Sequence, residues 1–344
     1  MRGLRKYLTP FAPDQSGAVS VLYELGGIVV ICDAGGCTGN ICGFDEPRWH
    51  TCRSAVFSAG LRDMDAILGR DDKLVAELVD AAEKIEANFA AIVGTPVPSV
   101  IGTDYLALRR MTEKKTPLPV LTVDTTGMEL YDVGAEKAYL ALVRRFAREA
   151  KPVEPGRIGV FGVNPLDMSD LKAAEKIRRK IPGAVCYGMG SDFTDLALAP
   201  AAEKNIVAAP SGLRAAQVLK EKFGTPYEVF DPLAAELLPE GEYTGKTILV
   251  IDQQVRANSL RALLRQSGAA KVVCATWFTL DTTLAEPGDL RLREEDDFEE
   301  LVTDGGFDLL IGDPTLWRIV KNYRGETIDL PQFPVSGKLG GDGA

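Results

Sequence analysis

Ile28-Val29-Val30-Ile31-Cys32-Asp33-Ala34-Gly35-Gly36-Cys37 runs from a β-branched stretch straight into a glycine-lined turn that carries a cysteine. An unbroken apolar run of this length fits a strand buried on both faces, as in a parallel sheet. The same rhythm continues outward. Residues 74–89 place Leu74, Leu78, Ala81, Ala82 and Ile85 at helical spacing, with Glu and Lys between them. Ala90-Ala91-Ile92-Val93 reads as the next strand, closed by Gly94-Thr95-Pro96. Pro119-Val120-Leu121-Thr122-Val123 is another, followed by the turn Asp124-Thr125-Thr126-Gly127 and a helix over 134–150. Strands alternating with helices imply parallel sheets joined by crossover helices.

The proline-rich stretch 151–156 reads as a linker, so the first domain is expected to span residues 1–150. A second unit, 151–240, opens with a strand over 157–162. It continues with a helix over 169–180, strands at 184–187 and 206–208, and a helix over 211–223. A third, shortened unit, 241–330, has strands at 247–251, 272–275 and 307–311 and a helix over 254–266. Its acidic run, Glu294 to Asp297 with Glu299 and Glu300, reads as a solvated helix start. Residues 331–344 read as a flexible tail. The expected fold class is α/β, with three Rossmann-like domains whose mainly parallel sheets are flanked by helices.

The 344 residues are 46% hydrophobic and 26% charged, the balance of a soluble globular chain. No apolar run reaches membrane-spanning length, and the N-terminus lacks the apolar centre of a signal peptide, so a cytoplasmic protein is expected. A net charge of -10 excludes nucleic acid and anionic membranes as partners, since phosphate binding needs dense Lys and Arg. The single histidine, His50, leaves little room for His-rich metal sites or a Ser-His-Asp triad. No strand is followed by Gly-x-Gly-x-x-Gly, which counts against a metal-free nucleotide-binding Rossmann protein.

Cysteine usage points elsewhere. Of six cysteines, Cys32, Cys37, Cys42 and Cys52 fall within 21 residues, while Cys186 and Cys274 stand apart. Clustered cysteines in a large cytoplasmic chain suggest metal or redox chemistry. Glycines let backbone approach a bulky cofactor and free its N–H groups, and ligands of parallel α/β domains gather beyond the strands' carboxyl ends. Thiolates are the usual ligands of iron–sulfur clusters. The spacing is neither a CxxC pair nor a ferredoxin pattern, so buried free thiols remain an alternative. Cys32 and Cys274 read as core residues, and Cys186 as a half-buried thiol facing a cleft.

The order of motifs resembles nitrogenase component 1 and its relatives, among them the catalytic component of dark-operative protochlorophyllide reductase. Gly35-Gly36-Cys37 is similar to the family's Gly-Pro-x-Gly-Cys loop, whose cysteine binds the cluster. Cys52, followed by Arg62-Asp63-Met64-Asp65-Ala66-Ile67-Leu68-Gly69, resembles the block in which a second cluster cysteine precedes Glu-x-Asp-hydrophobic-hydrophobic-x-Gly. Ile101-Gly102-Thr103-Asp104 is similar to the family's Ile-Gly-Asp-Asp helix start. Farther on, Phe223-Gly224-Thr225-Pro226, Gly245-Lys246-Thr247, Asp308-Leu309-Leu310-Ile311-Gly312 and Phe333-Pro334-Val335 resemble later family segments. Two departures stand out. Thr95-Pro96 occupies the place of the family's third cluster cysteine, and the chain ends soon after its Phe-Pro segment.

The resemblance implies a 4Fe–4S cluster, or a related one, held by Cys37, Cys42 and Cys52, with Cys42 substituting for the missing ligand. It implies a partner too, an ATP-hydrolysing iron protein of the nitrogenase kind that delivers electrons for reduction of a small molecule or tetrapyrrole. This chain has no Gly-x-x-x-x-Gly-Lys-Ser/Thr loop of its own. Family members are homodimers or paralogue heteromers, and a homodimer is expected. Candidate cleft groups at strand ends are Asp124, Thr125, Asn164, Asp167, Ser191, Asp192, Ser211 and Gln253; each also fits a helix cap or turn. His50 is a candidate proton donor, or a packing residue beside Trp49. The competing expectation is a non-catalytic scaffold for cofactor assembly, or a metal carrier, of the same fold.

Overall fold

A computed structural model of the chain describes residues 5–51 and 53–340. Among them the strands form three sheets, and every pairing within each sheet is parallel. The first holds β1 (Ile28–Ile31), β2 (Ala55–Ser58), β3 (Ala90–Val93) and β4 (Val120–Val123) in the order β2-β1-β3-β4. The second holds β5 (Glu154–Phe161), β6 (Ala184–Cys186), β7 (Ala202–Val207) and β8 (Tyr227–Val229) in the order β6-β5-β7-β8. The third takes β9 (Thr247–Ile251), β10 (Lys271–Thr276), β11 (Leu290–Arg291), β12 (Leu309–Gly312) and β13 (Glu326–Asp329), ordered β11-β10-β9-β12-β13. Strands β1, β3 and β12 are buried at every position, which is why they read as apolar runs and not as alternating patterns.

Several elements begin or end where tertiary contacts, not local pattern, decide. The helix expected to reach residue 89 is Asp71–Lys84. Beyond it the Asn88 amide donates to the Gly26 carbonyl at 3.0 Å, steering the chain into β3. The helix expected from 134 is Tyr131–Phe146, because the Tyr131 amide donates to the Ala12 carbonyl at 2.9 Å. The proline-rich 151–156 is not wholly a linker: β5 starts at Glu154 and absorbs it through a register shift before Ile158. The helix expected over 169–180 begins only at Ala173, and a separate short helix, Pro165–Met168, precedes it. The break falls at Ser169, whose φ of 56° is left-handed. There its hydroxyl accepts the Phe333 amide at 2.8 Å and its carbonyl accepts the Gly340 amide at 2.7 Å.

Two polar readings change in the same way. Glu295, in the run expected to be solvated, is buried. Its carboxylate accepts the amides of Lys6, Tyr7 and Leu8 at 2.8, 2.9 and 2.8 Å, pinning the N-terminal segment to the third sheet's layer. The stretch from Pro331 carries the short helix Phe333–Ser336, with Phe333 and Val335 in the core.

The centre of the molecule is a crossing of two helices, Asp14–Leu22 and Tyr131–Phe146. They meet through Gly17 and Gly134. A Cβ on Gly17 would overlap the Tyr131 carbonyl, and one on Gly134 would overlap the Asp14 carbonyl. The backbones therefore touch without side chains between them. The long helix lies between the first and second sheets and contributes Ala135, Ala138, Tyr139, Leu142 and Val143 to a core shared with β1, β3, β4 and Phe161. Overpacking of a fixed backbone contact costs about 1–3 kcal/mol. We therefore expect Gly134→Ala to lower the unfolding free energy by about 2 kcal/mol or more, whereas Gly43→Ala, whose Cβ meets nothing within 4 Å, leaves it nearly unchanged. Urea denaturation of the two variants checks this, and equal midpoints would contradict the contact.

Candidate functional site

The segment after β1 leaves the sheet through Cys32 and turns at Gly35, whose φ of 111° suits glycine. It then forms the short helix Gly36–Asn40 and a π-helical turn, Ile41–Asp45. Cys37 lies on the first and Cys42 on the second, and both are half-buried. Cys52 lies outside the described residues. Wider turns of this kind recur at functional sites in helices. No sequence signal predicted it here.

Asp33 holds the segment in place. This buried carboxylate accepts the Thr38 amide at 2.7 Å, the Thr38 hydroxyl at 3.0 Å and the Ser58 hydroxyl at 2.6 Å. Thr95, at the position of the family's third cysteine, is buried beside it and donates its hydroxyl to the Cys32 carbonyl at 2.6 Å. The same hydroxyl interacts with the Cys37 thiol. Burial pushes that thiol up from its ordinary range, the Asp33 charge adds to the effect, and Thr95 opposes it. Cys37 is therefore not an activated nucleophile of the kind found beside cationic groups. A bound metal would favour its thiolate form.

The other described cysteines are structural. Cys32, Cys186 and Cys274 are buried, and burial pushes each thiol up to about 12. Cys186, expected to be half-buried and to face a cleft, is instead enclosed in the second sheet's core. Among the described residues, no group of three or more His, Cys, Asp or Glu side chains could hold a metal ion. Cys37 and Cys42 are the two described thiols that are not buried. His50 is exposed on the turn Trp49–Thr51, and Trp49 packs 6.2 Å from Tyr23.

The far end of this segment is bolted to the rest of the fold. Buried Arg48 pairs with both Glu46 oxygens at 2.8 and 2.7 Å and with Glu24 at 2.8 Å, and donates to the Ser20 carbonyl at 2.7 Å. It also reaches the Gly188 carbonyl of the second sheet's layer at 3.2 Å. Removing one partner of such a buried ionic cluster typically costs about 3–5 kcal/mol. Each segment that leaves the first sheet also exposes a large apolar side chain. Phe44, Ile67, Val100 and Met128, which follow β1, β2, β3 and β4 respectively, are 75%, 75%, 81% and 77% exposed.

The eight candidate cleft groups do not share one cleft. Asn164, Asp192 and Gln253 cap helices, and Thr125 ties β4 to β3 through the Gly94 carbonyl at 2.7 Å. Exposed Asp124 pairs with Lys137, and the buried Ser191 hydroxyl has no partner. Three of them do meet: Asp167 accepts the Ser211 hydroxyl at 2.6 Å and the Asn164 amide at 2.5 Å. Tyr131 joins them, with Asp252 and Arg256 nearby, in a closed cluster where strand ends of all three sheets converge. There Arg256 pairs with Asp231 at 2.7 Å. These latter residues went unread in the sequence, because nothing local marks a long-range buried pair.

An open cleft of about 720 Å³ lies elsewhere, beside the cysteine segment. Residues 9–13, Asn40, Gly43 to Asp45, Gly127 and residues 333–337 line it. None of the eight candidates does.

With this geometry in hand, comparison with known proteins is informative. The sequence profile of the nitrogenase component 1 type oxidoreductase family matches residues 16–236, well over half of the chain, and the chain belongs to that family. A solved structure described as "Nitrogenase Cp1 at pH 6.5" superimposes with a TM-score of 0.73 at 13% identity, over 99% of this chain and 89% of that one. A second, "Nitrogenase Cp1 at pH 5", gives 0.69 at 16% identity, over 97% and 85%. At these identities the likeness is one of fold, and it bears out the α/β class with parallel sheets flanked by helices. No curated protein matches the chain. Among the described residues, no helix is long and apolar enough to cross a membrane.

The closed cluster makes stability depend on pH. Burial raises the Asp167 carboxyl to about 6 and the Asp252 carboxyl to about 7. An acid raised above its unfolded value of about 3.9 binds its proton more tightly in the folded chain. The stability it contributes is complete below about pH 4 and is lost as pH rises through those folded values. Denaturation midpoints should therefore fall with rising pH across this window, and Asp167→Asn and Asp252→Asn should each flatten the slope. Parallel slopes in variants and parent would count against these shifts.

Proposed function

We propose that this protein is the iron–sulfur component of an ATP-dependent two-component reductase, taking electrons from a nitrogenase iron protein-like partner and reducing a small molecule or tetrapyrrole. One observation carries the reading: in a member of this family, the described thiols that are not sealed in a core, Cys37 and Cys42, share one glycine-lined segment beyond β1. Both thiols, with Cys52, would hold iron. An iron–sulfur cluster there supplies one-electron transfer. Asp33 fixes the loop by its bonds to Thr38 and Ser58, and Thr95 stands where its hydroxyl meets the Cys37 sulfur. Such contacts orient a ligand and tune its basicity.

Two described thiols do not complete a cluster. The exposed apolar side chains on all four segments leaving the first sheet support a second copy of this chain covering the same edge, with donors from both copies. Ile67→Glu and Val100→Glu should then shift the sedimentation coefficient from dimer to monomer; a parent protein that is already monomeric removes this part of the reading.

The scaffold alternative is favoured by one feature, Thr95 in place of a ligand. Protein purified without oxygen should be coloured and carry iron and sulfide in comparable amounts. Cys37→Ala, Cys42→Ala and Cys52→Ala should lose most of that iron while Cys274→Ala keeps it. Colourless, iron-poor protein would overturn the proposal. Reduction of the iron by an ATP-driven iron protein, followed by substrate turnover, separates a reductase from a scaffold.

A further inference from the structure

Strand β2 is one edge of the first sheet, and among the described residues no strand lies on its outer side. The Ala55 and Ala59 amides donate inward, to the Gly27 and Ile31 carbonyls at 2.9 and 2.8 Å. Alternation along the strand then turns the amides and carbonyls of Val56 and Ser58 outward. Edge strands usually carry a device that blocks further pairing: a charge, a proline, a bulge, a cover or very short length. The other edges have one. β8 carries Glu228, paired with Lys204, and β13 carries Glu326, paired with Lys246. β6 and β11 are three and two residues long, and β4 is largely buried. In contrast, β2 reads Ala55-Val56-Phe57-Ser58, without charge or proline, and pairs with β1 in unbroken register.

A groove of about 320 Å³ opens between this strand and the helix Asp71–Lys84. Phe57 lines it and is 39% exposed, and half-buried Ala81 and Ile85 face it from the helix side. Buried Leu74 and Leu78 close the bottom. Glu77, Asp80 and Lys84 are exposed at the rim. Lys84 is tied to Asp80 at 2.7 Å, so Glu77 sets the sign of the rim. The whole stretch 71–86 holds six acidic residues and two lysines, and the second lysine, Lys73, is paired with Asp65. Outward backbone groups, an exposed ring and an acidic rim together suit a basic segment in extended conformation. A second copy of this chain would bring the same acidic helix to the edge, and like charges repel.

We propose that β2 is a docking edge for an extended segment of a partner protein, which adds as a fifth strand, seats an apolar side chain against Phe57 and carries lysine or arginine toward Glu77 and Asp80. Ladder hydrogen bonds to Val56 and Ser58 supply affinity, and the groove with its charge supplies selectivity. The proposal stands whether or not Cys37 and Cys42 bind iron.

The probe is a fluorescent heptapeptide that alternates lysine with valine and isoleucine, followed by anisotropy on the full chain at physiological salt. Saturable binding with one peptide per chain is expected. The same peptide with every backbone amide methylated keeps its charge and side chains but cannot donate to a ladder, and should bind at least about tenfold more weakly. A version with glutamate in place of lysine should not bind. Hydrogen exchange at the Val56 and Ser58 amides should slow when the basic peptide is added. Phe57→Lys, which gives β2 the guard its counterparts have, should abolish binding, with a circular dichroism spectrum and melting curve matching the parent. Glu77→Lys, at an exposed position, should weaken binding roughly fivefold. Absent or unsaturable binding, equal affinity for the methylated peptide, unaltered exchange at the two amides, or unchanged affinity in Glu77→Lys or in a folded Phe57→Lys each overturns the proposal. A parent dimer that Phe57→Lys converts to monomer in sedimentation assigns the edge to a second copy and overturns it as well.

Discussion

The architecture depends on one close contact, the crossing of helices Asp14–Leu22 and Tyr131–Phe146 through Gly17 and Gly134. No side chain other than hydrogen fits between these backbones. The contact sets the first helix against the loops at the carboxyl ends of the first sheet. From there the Asp14 carboxylate accepts the amides of Thr126 and Gly127 at 2.8 and 2.7 Å, fixing the turn after β4. Ser16 holds Asp45, and Ser20 receives Arg48, so the cysteine segment hangs from the same helix. The long helix meanwhile shares its core with Phe161, Tyr187 and Val207 of the second sheet's layer. A small change at the crossing would therefore reach all these elements, because close-packed interiors transmit strain.

The electrostatics divide the molecule into two polar regions with different characters. Where the three sheets converge, Asp167, Asp252 and Arg256 are sealed among buried neighbours, and their hydrogen bonds are internal to the protein. Such a region specifies packing and gives no route to a ligand. At the cysteine segment the thiols are partly open, the cleft adjoins the π-helical turn, and large apolar side chains face outward. The proposed chemistry is placed there. The exposed Phe44, Ile67, Val100 and Met128 are the side chains that the proposed second copy would cover.

Much of the fold was legible in the sequence, because parallel strands buried on both faces leave unmistakable apolar runs. β1, β3 and the helix Gln254–Gln266 lie where their patterns put them. Boundaries set from a distance were not legible. Nothing near Tyr131 reveals that Ala12 will take its amide, and nothing near Ser169 reveals that residues 333 and 340 will dock on it. Glu295 looked solvated because its partners, the amides of residues 6–8, lie almost 290 positions away. At the site, the glycine–cysteine loop was visible and its location beyond β1 followed. The π-helical turn, the Thr95–Cys37 contact and the cleft were not. They arise from chain segments that meet only in three dimensions, and three of the eight polar strand-end residues cap helices instead.

The account centres on sulfur from Cys37 and Cys42 binding iron at the carboxyl edge of the first sheet. Anomalous X-ray scattering at the iron absorption edge, on crystals grown without oxygen, tests this directly. The expected result is an anomalous peak in bonding contact with both Sγ atoms. A map without iron there, or with iron seated away from both sulfurs, would contradict it.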